Sequence, residues 1–211
     1  MNKRIIILTF TPLLSLLLSA AILAQNPSEP QVEFLGEVKQ GKYQNVAYGF
    51  EFNVPAGWYV ASPGDVDTVK RFTKEGLKDY KIRMPEKSTA ENISLMITRD
   101  AIGTVKNAAL GFSVMKQPSS KITPAMIADA TKPMFVGKNG TSLKRDITSE
   151  MIGEKRFSTF DLLVESTLGK QYVRIYVTMV GENAITFALT YWEDSERELL
   201  ENSIRSIRFT K

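Results

Sequence analysis

A chain of 211 residues, 43% hydrophobic and 24% charged, has the balance of one globular domain that buries a core, or at most of two small ones. It contains no cysteine and no histidine, which excludes disulfides, thiol nucleophiles and thioether lipidation, together with the commonest general base and the commonest transition-metal ligand. Only oxygen ligands remain, and those suit calcium or magnesium, so no transition metal and no other cofactor is expected.

The chain opens with a secretory layout. Lys3 and Arg4 form a positive n-region, Ile5 to Leu18 an uncharged apolar core, and small residues follow at Ser19-Ala20-Ala21 and Ala24. This pattern reads as a signal peptide over residues 1–24, cleaved after Ala21 or Ala24. The competing reading is an uncleaved anchor, because Ile5–Ala24 is 20 uncharged residues, nearly enough to span a bilayer. Thr9, Thr11, Pro12, Ser15 and Ser19 weaken that reading. Either way the folded part is expected outside the cytoplasm, periplasmic or secreted. Losing Lys3 and Arg4 takes the formal net charge from +4 to +2, too small a surplus to imply a nucleic-acid partner.

Residues 25–31 carry Pro27 and Pro30 and read as a linker, after which residues 32–211 form the expected single domain. The chain becomes strand-like near Val32–Glu37. A hairpin is expected from Tyr48–Val54, a turn at Pro55-Ala56-Gly57, and Trp58–Ala61. Phe50, Phe52 and Val54 share one face of its first strand, and Trp58 reads as core.

Tyr43-x-Asn45 followed by Gly49-Phe50-Glu51-Phe52-x-Val54-Pro55-x-Gly57-Trp58 resembles the opening signature of PsbP-like proteins. That superfamily includes the extrinsic PsbP subunit of photosystem II, DcrB-type bacterial envelope proteins and a Ran-binding nuclear import factor. The end of the chain is similar too: a strand, a helix over Glu193–Ile207, then Arg208-Phe209. The resemblance covers most of residues 43–209 as an order of elements. It implies an α+β fold, an antiparallel sheet flanked by helices in an α/β/α sandwich, and a non-catalytic role assisting a larger assembly. The family's metal-linked photosynthetic role does not carry over to a chain without histidine, and export does not fit Ran binding.

Asp65–Tyr80 sets Val66, Val69, Phe72, Leu77 and Tyr80 at near-helical spacing, with Asp65 and Asp67 at its positive end. Ile93–Arg99 and Ala108–Lys116 alternate as strands. Thr123-Pro124 starts a helix whose expected inner face is Met126, Ile127 and Ala130, and Pro133 ends it. Four strands then follow as an antiparallel meander: Leu143–Glu150, Arg156–Glu165, Tyr172–Val180 and Ala184–Tyr191, with turns at Gly153, Gly169 and Gly181. The last helix shows a capping box, Ser195-x-x-Glu198, with Leu200, Ile204 and Ile207 facing inward.

Chemical motifs are sparse. Ser113-Val-Met-Lys116 has the Ser-x-x-Lys spacing of penicillin-recognising enzymes, but it alternates like a strand and its companion motifs are missing. Asp65-Val-Asp67 offers paired carboxylates, which at a helix start more commonly answer the dipole. Asn92-Ile-Ser94 and Asn139-Gly-Thr141 fit the glycosylation triplet. Lys70–Lys87 is rich in cations and offers weak attraction to anionic lipid or an acidic partner, or simply a solvated face.

The candidate ligand-binding residues are Tyr172, Arg174 and Tyr176, which alternation puts on one strand face. They are expected beside the small residues Ala184, Thr186, Ala188 and Thr190, leaving room for a cleft or for a closely packed helix. The expected function is that of an exported non-catalytic protein that binds an envelope partner. The alternative is a carrier holding a small or amphipathic ligand between helix and sheet. An enzyme working through Ser, Lys, Tyr or carboxylates is the third class. Membrane contact is expected only through an uncleaved N-terminal segment or weakly through Lys70–Lys87.

Overall fold

The computed structural model describes residues 36–62, 64–66 and 93–210. The expected signal peptide and linker, the helix expected over Asp65–Tyr80 beyond Val66, the Lys70–Lys87 charge bias and Asn92 lie outside the described residues. The two antiparallel sheets are built from β1 (Glu37–Lys39), β2 (Lys42–Asn45), β3 (Phe50–Asn53), β4 (Tyr59–Val60), β5 (Ile93–Thr98), β6 (Ala109–Lys116), β7 (Thr141–Ile152), β8 (Lys155–Ser166), β9 (Gly169–Val180), β10 (Asn183–Tyr191) and β11 (Arg208–Phe209). The larger has the order β4-β5-β6-β10-β9-β8-β7, and the smaller β1-β2-β3-β11. Among the described residues, the two complete α-helices are α1 (Pro124–Thr131) and α2 (Asp194–Arg205).

The meander forms as the period of two requires. Val173, Ile175 and Val177 point to one side of the large sheet and pack with Phe160, Leu162 and, from α1, Ile127 and Ala128. The opposite side carries Phe112, Phe157, Tyr176, Phe187 and Leu189, covered by Leu200 and Ile204 of α2 and by Tyr43, Phe50 and Phe52 of the small sheet. The expected α+β architecture is therefore present, with a small sheet sharing the α2 flank.

The signature residues explain that flank. Phe50 and Phe52 stack at 6.4 Å between ring centroids and meet Phe112 and Phe187 edge-on or tilted at 5.5–6.3 Å, and Tyr43 joins them. Fully burying such a ring contributes about 1.5–3 kcal/mol. Asn45 donates to the Tyr43 hydroxyl (2.9 Å) and accepts from the Tyr48 amide (3.0 Å), which satisfies the polar end of the ring and closes the β2–β3 turn. Burial pushes the Tyr43 hydroxyl up to about 12 despite the Asn45 hydrogen bond. Trp58 packs at the margin of the same core.

Local expectations needed three corrections. Pro55-Ala56-Gly57 does not close a hairpin: β3 pairs with β2 and β11, while β4 pairs with β5, so the turn carries the chain from one sheet to the other. In α1 Thr123 caps the Met126 amide as expected, but the buried residues are Ile127, Ala128 and Thr131, and Met126 is exposed. Pro133 falls in the 3-10 turn Lys132–Met134 that ends the helix. The capping box of α2 is Glu193 with Glu196, not Ser195 with Glu198. Glu196 accepts from the Trp192 and Glu193 amides (2.7 and 3.2 Å) while pairing with Arg99. Glu193 holds the N-cap place that a serine commonly takes, its side chain accepting from the Glu196 amide, so the helix starts before Ser195.

Candidate binding site

Backbone register decides what surrounds the candidate trio. Directly opposite residues of an antiparallel pair share a face. Tyr172 lies opposite Tyr191, Arg174 opposite Leu189, and Tyr176 opposite Phe187. The trio's neighbours are thus the large residues of β10. Ala184, Thr186, Ala188 and Thr190 belong to the other face, the α1 side, so the expected juxtaposition with small residues is corrected. Alternation within each strand was legible, but which face of β10 continues which face of β9 is set by the β9–β10 turn.

The three residues have separate fates. Tyr176 is 3% exposed and meets Phe157 edge-on; burial pushes its hydroxyl up to about 12, with Arg174 opposing the shift. Arg174 lies under α2 with 14% of its side chain exposed. Its Nε and Nη2 donate to the two oxygens of Asp161, directly opposite on β8, at 2.8 and 2.9 Å. Its Nη1 donates to Glu201 of α2. Burial opposes the charge on Arg174, but the hydrogen bonds and attraction of Asp161 outweigh it and raise its pKa. A two-pronged guanidinium–carboxylate pair is the geometry that keeps a buried cation affordable.

Further arginines ring the two acids. Arg145 approaches Asp161 at 3.3 Å, and Arg205 and Arg197 approach Glu201 at 2.8 and 3.9 Å. The carboxylates are the covered partners, 8% and 10% exposed, while Arg145, Arg197 and Arg205 are 41%, 36% and 62% exposed. The network ties α2 to β8 and β9 and turns cations outward.

Tyr172 alone of the trio opens to solvent. It is half-buried and stacks on Tyr191 (5.6 Å, 18°), while the Lys144 ammonium sits 4.0 Å above its ring. Together with Trp192, Glu193, Asp194 and Arg197 these residues line a cleft of about 440 Å³ at the N-terminal end of α2. Burial holds the Tyr191 hydroxyl neutral, pushed up to about 12. The cleft therefore combines aromatic walls with two cations and two carboxylates. That mixture suits a polar ligand or a partner's charged side chains. Sequence reading found Tyr172 but missed Lys144, Trp192 and Arg197. The i, i+4 spacing of Arg197, Glu201 and Arg205 was the available signal for the network on α2.

Other candidates are accounted for. Ser113 is buried on β6 and Lys116 exposed, three residues apart in a strand and so on opposite faces. Asp65 accepts from the Tyr59 and Ser62 hydroxyls and the Ser62 amide. Among the described residues no helix is long and apolar enough to cross a membrane.

No family model matches the chain, and no curated protein matches it. Solved structures do. Cyanobacterial PsbP (CyanoP) from Synechocystis sp. PCC 6803 is similar with a TM-score of 0.49 at 16% identity, over 88% of this chain and 99% of that one. LpqN, involved in cell envelope biogenesis of Mycobacterium tuberculosis, is similar with a TM-score of 0.50 at 8% identity, over 77% of this chain and 83% of that one. The fold is shared with LpqN. A crystal structure from Bacteroides thetaiotaomicron VPI-5482 is similar with a TM-score of 0.46 at 13% identity, and the match covers 81% of this chain and 48% of that one. At such identities the likeness is one of fold.

Proposed function

We propose that this protein is a non-catalytic, extracytoplasmic binding or accessory component of the cell envelope, and that it engages its partner at the cleft beside Tyr172. The observation that carries the reading is the build of that cleft. An open aromatic wall and the cations Lys144 and Arg197 stand on a buried charge network that fixes α2 against the sheet. A rigid support under exposed side chains is what a recognition surface needs, because little ordering cost remains at binding. Tyr191, in the wall of the cleft, holds its proton up to about 12, which suits hydrogen bonding and packing at neutral pH rather than proton transfer. Export rests on the secretory layout of residues 1–24, and involvement in envelope biogenesis is stated of LpqN.

Arg197→Gln and Tyr172→Leu test the cleft without setting a like charge beside Glu201 or removing all the packing at Tyr172. Affinity purification from the membrane and envelope fraction should lose the same specific partner in both variants, with melting temperatures within about 2 °C of the parent. Retention of every co-purifying partner by both variants would refute the placement.

One observation favours the carrier as a second reading. Among the described residues the buried Thr186 hydroxyl and Gln117 side-chain carbonyl find no hydrogen-bond partner, at 1% and 2% residue exposure. Thr186 lies among the small residues of β10 on the α1 side. An apolar ligand bearing one polar group would satisfy such a floor. Native mass spectrometry of the purified protein would show it as a constant added mass that Thr186→Val removes; a bare chain mass would rule it out.

A further inference from the structure

The cleft beside Tyr172 holds its charges unevenly, and the cause is a bulge in β7. Leu143 pairs with Leu162 and Arg145 with Asp161, so two steps along β7 answer one along β8, and Lys144 is the extra residue. A bulge of this kind re-aims a side chain. Arg145 reaches Asp161 and Lys144 reaches Tyr172, both on the α2 side of the sheet. Two successive residues therefore put cations on one face, where alternation would have placed one.

The other charges of the cleft are answered. Arg197 lies 3.3 Å from Asp194 and 3.9 Å from Glu201. The Glu193 side chain accepts from the Glu196 amide in the capping box. Lys144 is exposed and, among the described residues, meets no carboxylate; its ammonium has the Tyr172 ring, at 4.0 Å. A ring face holds an ammonium in place without neutralising it, and the N–H donors turned away from the ring stay open.

We propose that Lys144 anchors a single carboxylate of the partner, an Asp or Glu side chain set in an otherwise neutral or basic segment. The inference rests on the cleft being the binding site and adds what the partner brings to it. One unanswered positive charge calls for one negative charge, which a carboxylate carries and a phosphomonoester exceeds. The surroundings select further. Asp194, in the first turn of α2, has 83% of its side chain exposed. With Glu193 it sets two negative charges beside the anchor, which repel polyanions and a dense anionic lipid surface but accept a cation next to the carboxylate.

A water-soluble carbodiimide tests this, because it joins a carboxylate to an amine that touches it, with loss of water and no spacer. The tagged full-length protein is treated in the envelope fraction and purified. The expected product is an isopeptide bond from Lys144 to an Asp or Glu of one partner protein, located by tandem mass spectrometry. No such bond should form from Lys121, an exposed loop lysine outside the cleft. Lys144→Arg has no amine to couple and should lose the bond. A guanidinium keeps the charge over the ring, so the same variant should recover the partner within about twofold when purified without the reagent. Lys144→Gln should recover about tenfold less. A photoreactive group in place of Tyr172 separates the failures. If it captures a partner whose recovery Lys144→Gln leaves unchanged, or which forms no bond to Lys144, the carboxylate anchor is wrong while the cleft stands. Capture of a phospholipid, or equal coupling from Lys121, would overturn the anchor as well. Capture of nothing from Tyr172 would overturn the cleft and the anchor together.

Discussion

Replacing Arg174 by alanine is expected to destabilise the protein by about 2–4 kcal/mol, somewhat less than the roughly 3–5 kcal/mol lost when one partner of a buried ion pair is removed. The reduction comes from the neighbours. Asp161, 8% exposed, keeps Arg145 at 3.3 Å, and Glu201, 10% exposed, keeps Arg205 at 2.8 Å, so neither carboxylate is left bare. Both nevertheless lose their most covered partner, and the packing of the Arg174 stem under α2 is lost with it. At about 2–4 °C per kcal/mol for a chain of this size, the melting temperature should fall by roughly 5–15 °C. Urea denaturation followed by circular dichroism measures the change, and a cycle with Asp161→Asn should show a coupling above about 1 kcal/mol. A loss below about 0.5 kcal/mol with no coupling would refute the reasoning, because it would make the pair no better than an exposed one. Weakened partner capture at an unchanged melting temperature would instead make Arg174 a contact residue.

Alkali should unfold the protein through its tyrosines. Tyr43, Tyr176 and Tyr191 have folded-state values raised to about 12 from 10.0, so the stability they contribute is complete below pH 10 and is lost as pH rises toward 12; ultraviolet titration should show three late phenols ionising together with loss of structure. All seven phenols of the chain titrating near pH 10 in folded protein would contradict this. Gly153→Ala should cost about 2–4 kcal/mol, since the residue has φ +52° and an added Cβ would lie 2.4 Å from the Ile207 carbonyl. A calorimetric scan checks it, and an unchanged midpoint would mean that the β7–β8 turn gives way freely. Because both sheets share the aromatic core around Phe187, the chain should unfold in one cooperative transition; two resolved transitions, each owned by a contiguous half, would argue for two units.

Much of the fold was legible because β9 and β10 of the meander alternate strictly. Val173, Ile175 and Val177 against Tyr172, Arg174 and Tyr176 needed no tertiary information, and Thr123-Pro124 carries its capping chemistry in two residues. What failed was anything set by relations between distant strands. Pro55-Ala56-Gly57 looks like a hairpin turn locally, and only the pairing of β3 with β11, from the far end of the chain, shows that it connects two sheets. Arg174 was recognised as needing an acceptor, but Asp161 became its partner through the β8–β9 register, and Glu201 through the docking of α2. The cleft follows the same rule. Tyr172 was found on its strand, whereas Lys144, Trp192 and Arg197 come from an edge strand, the entry to a helix and its first turns.

The proposed binding role is tested most directly by crosslinking from the cleft in living cells. A photoreactive amino acid replacing Tyr172 should capture one defined species, protein or small molecule, identified by mass spectrometry. The same group at Val46, 80% exposed on the β2–β3 turn, should not capture it. Arg197→Gln, which adds no like charge beside Glu201, should weaken the capture while keeping the melting temperature within about 2 °C of the parent. No adduct at Tyr172, or the same adducts with equal yield from Val46, would contradict the claim that this cleft is where the protein binds.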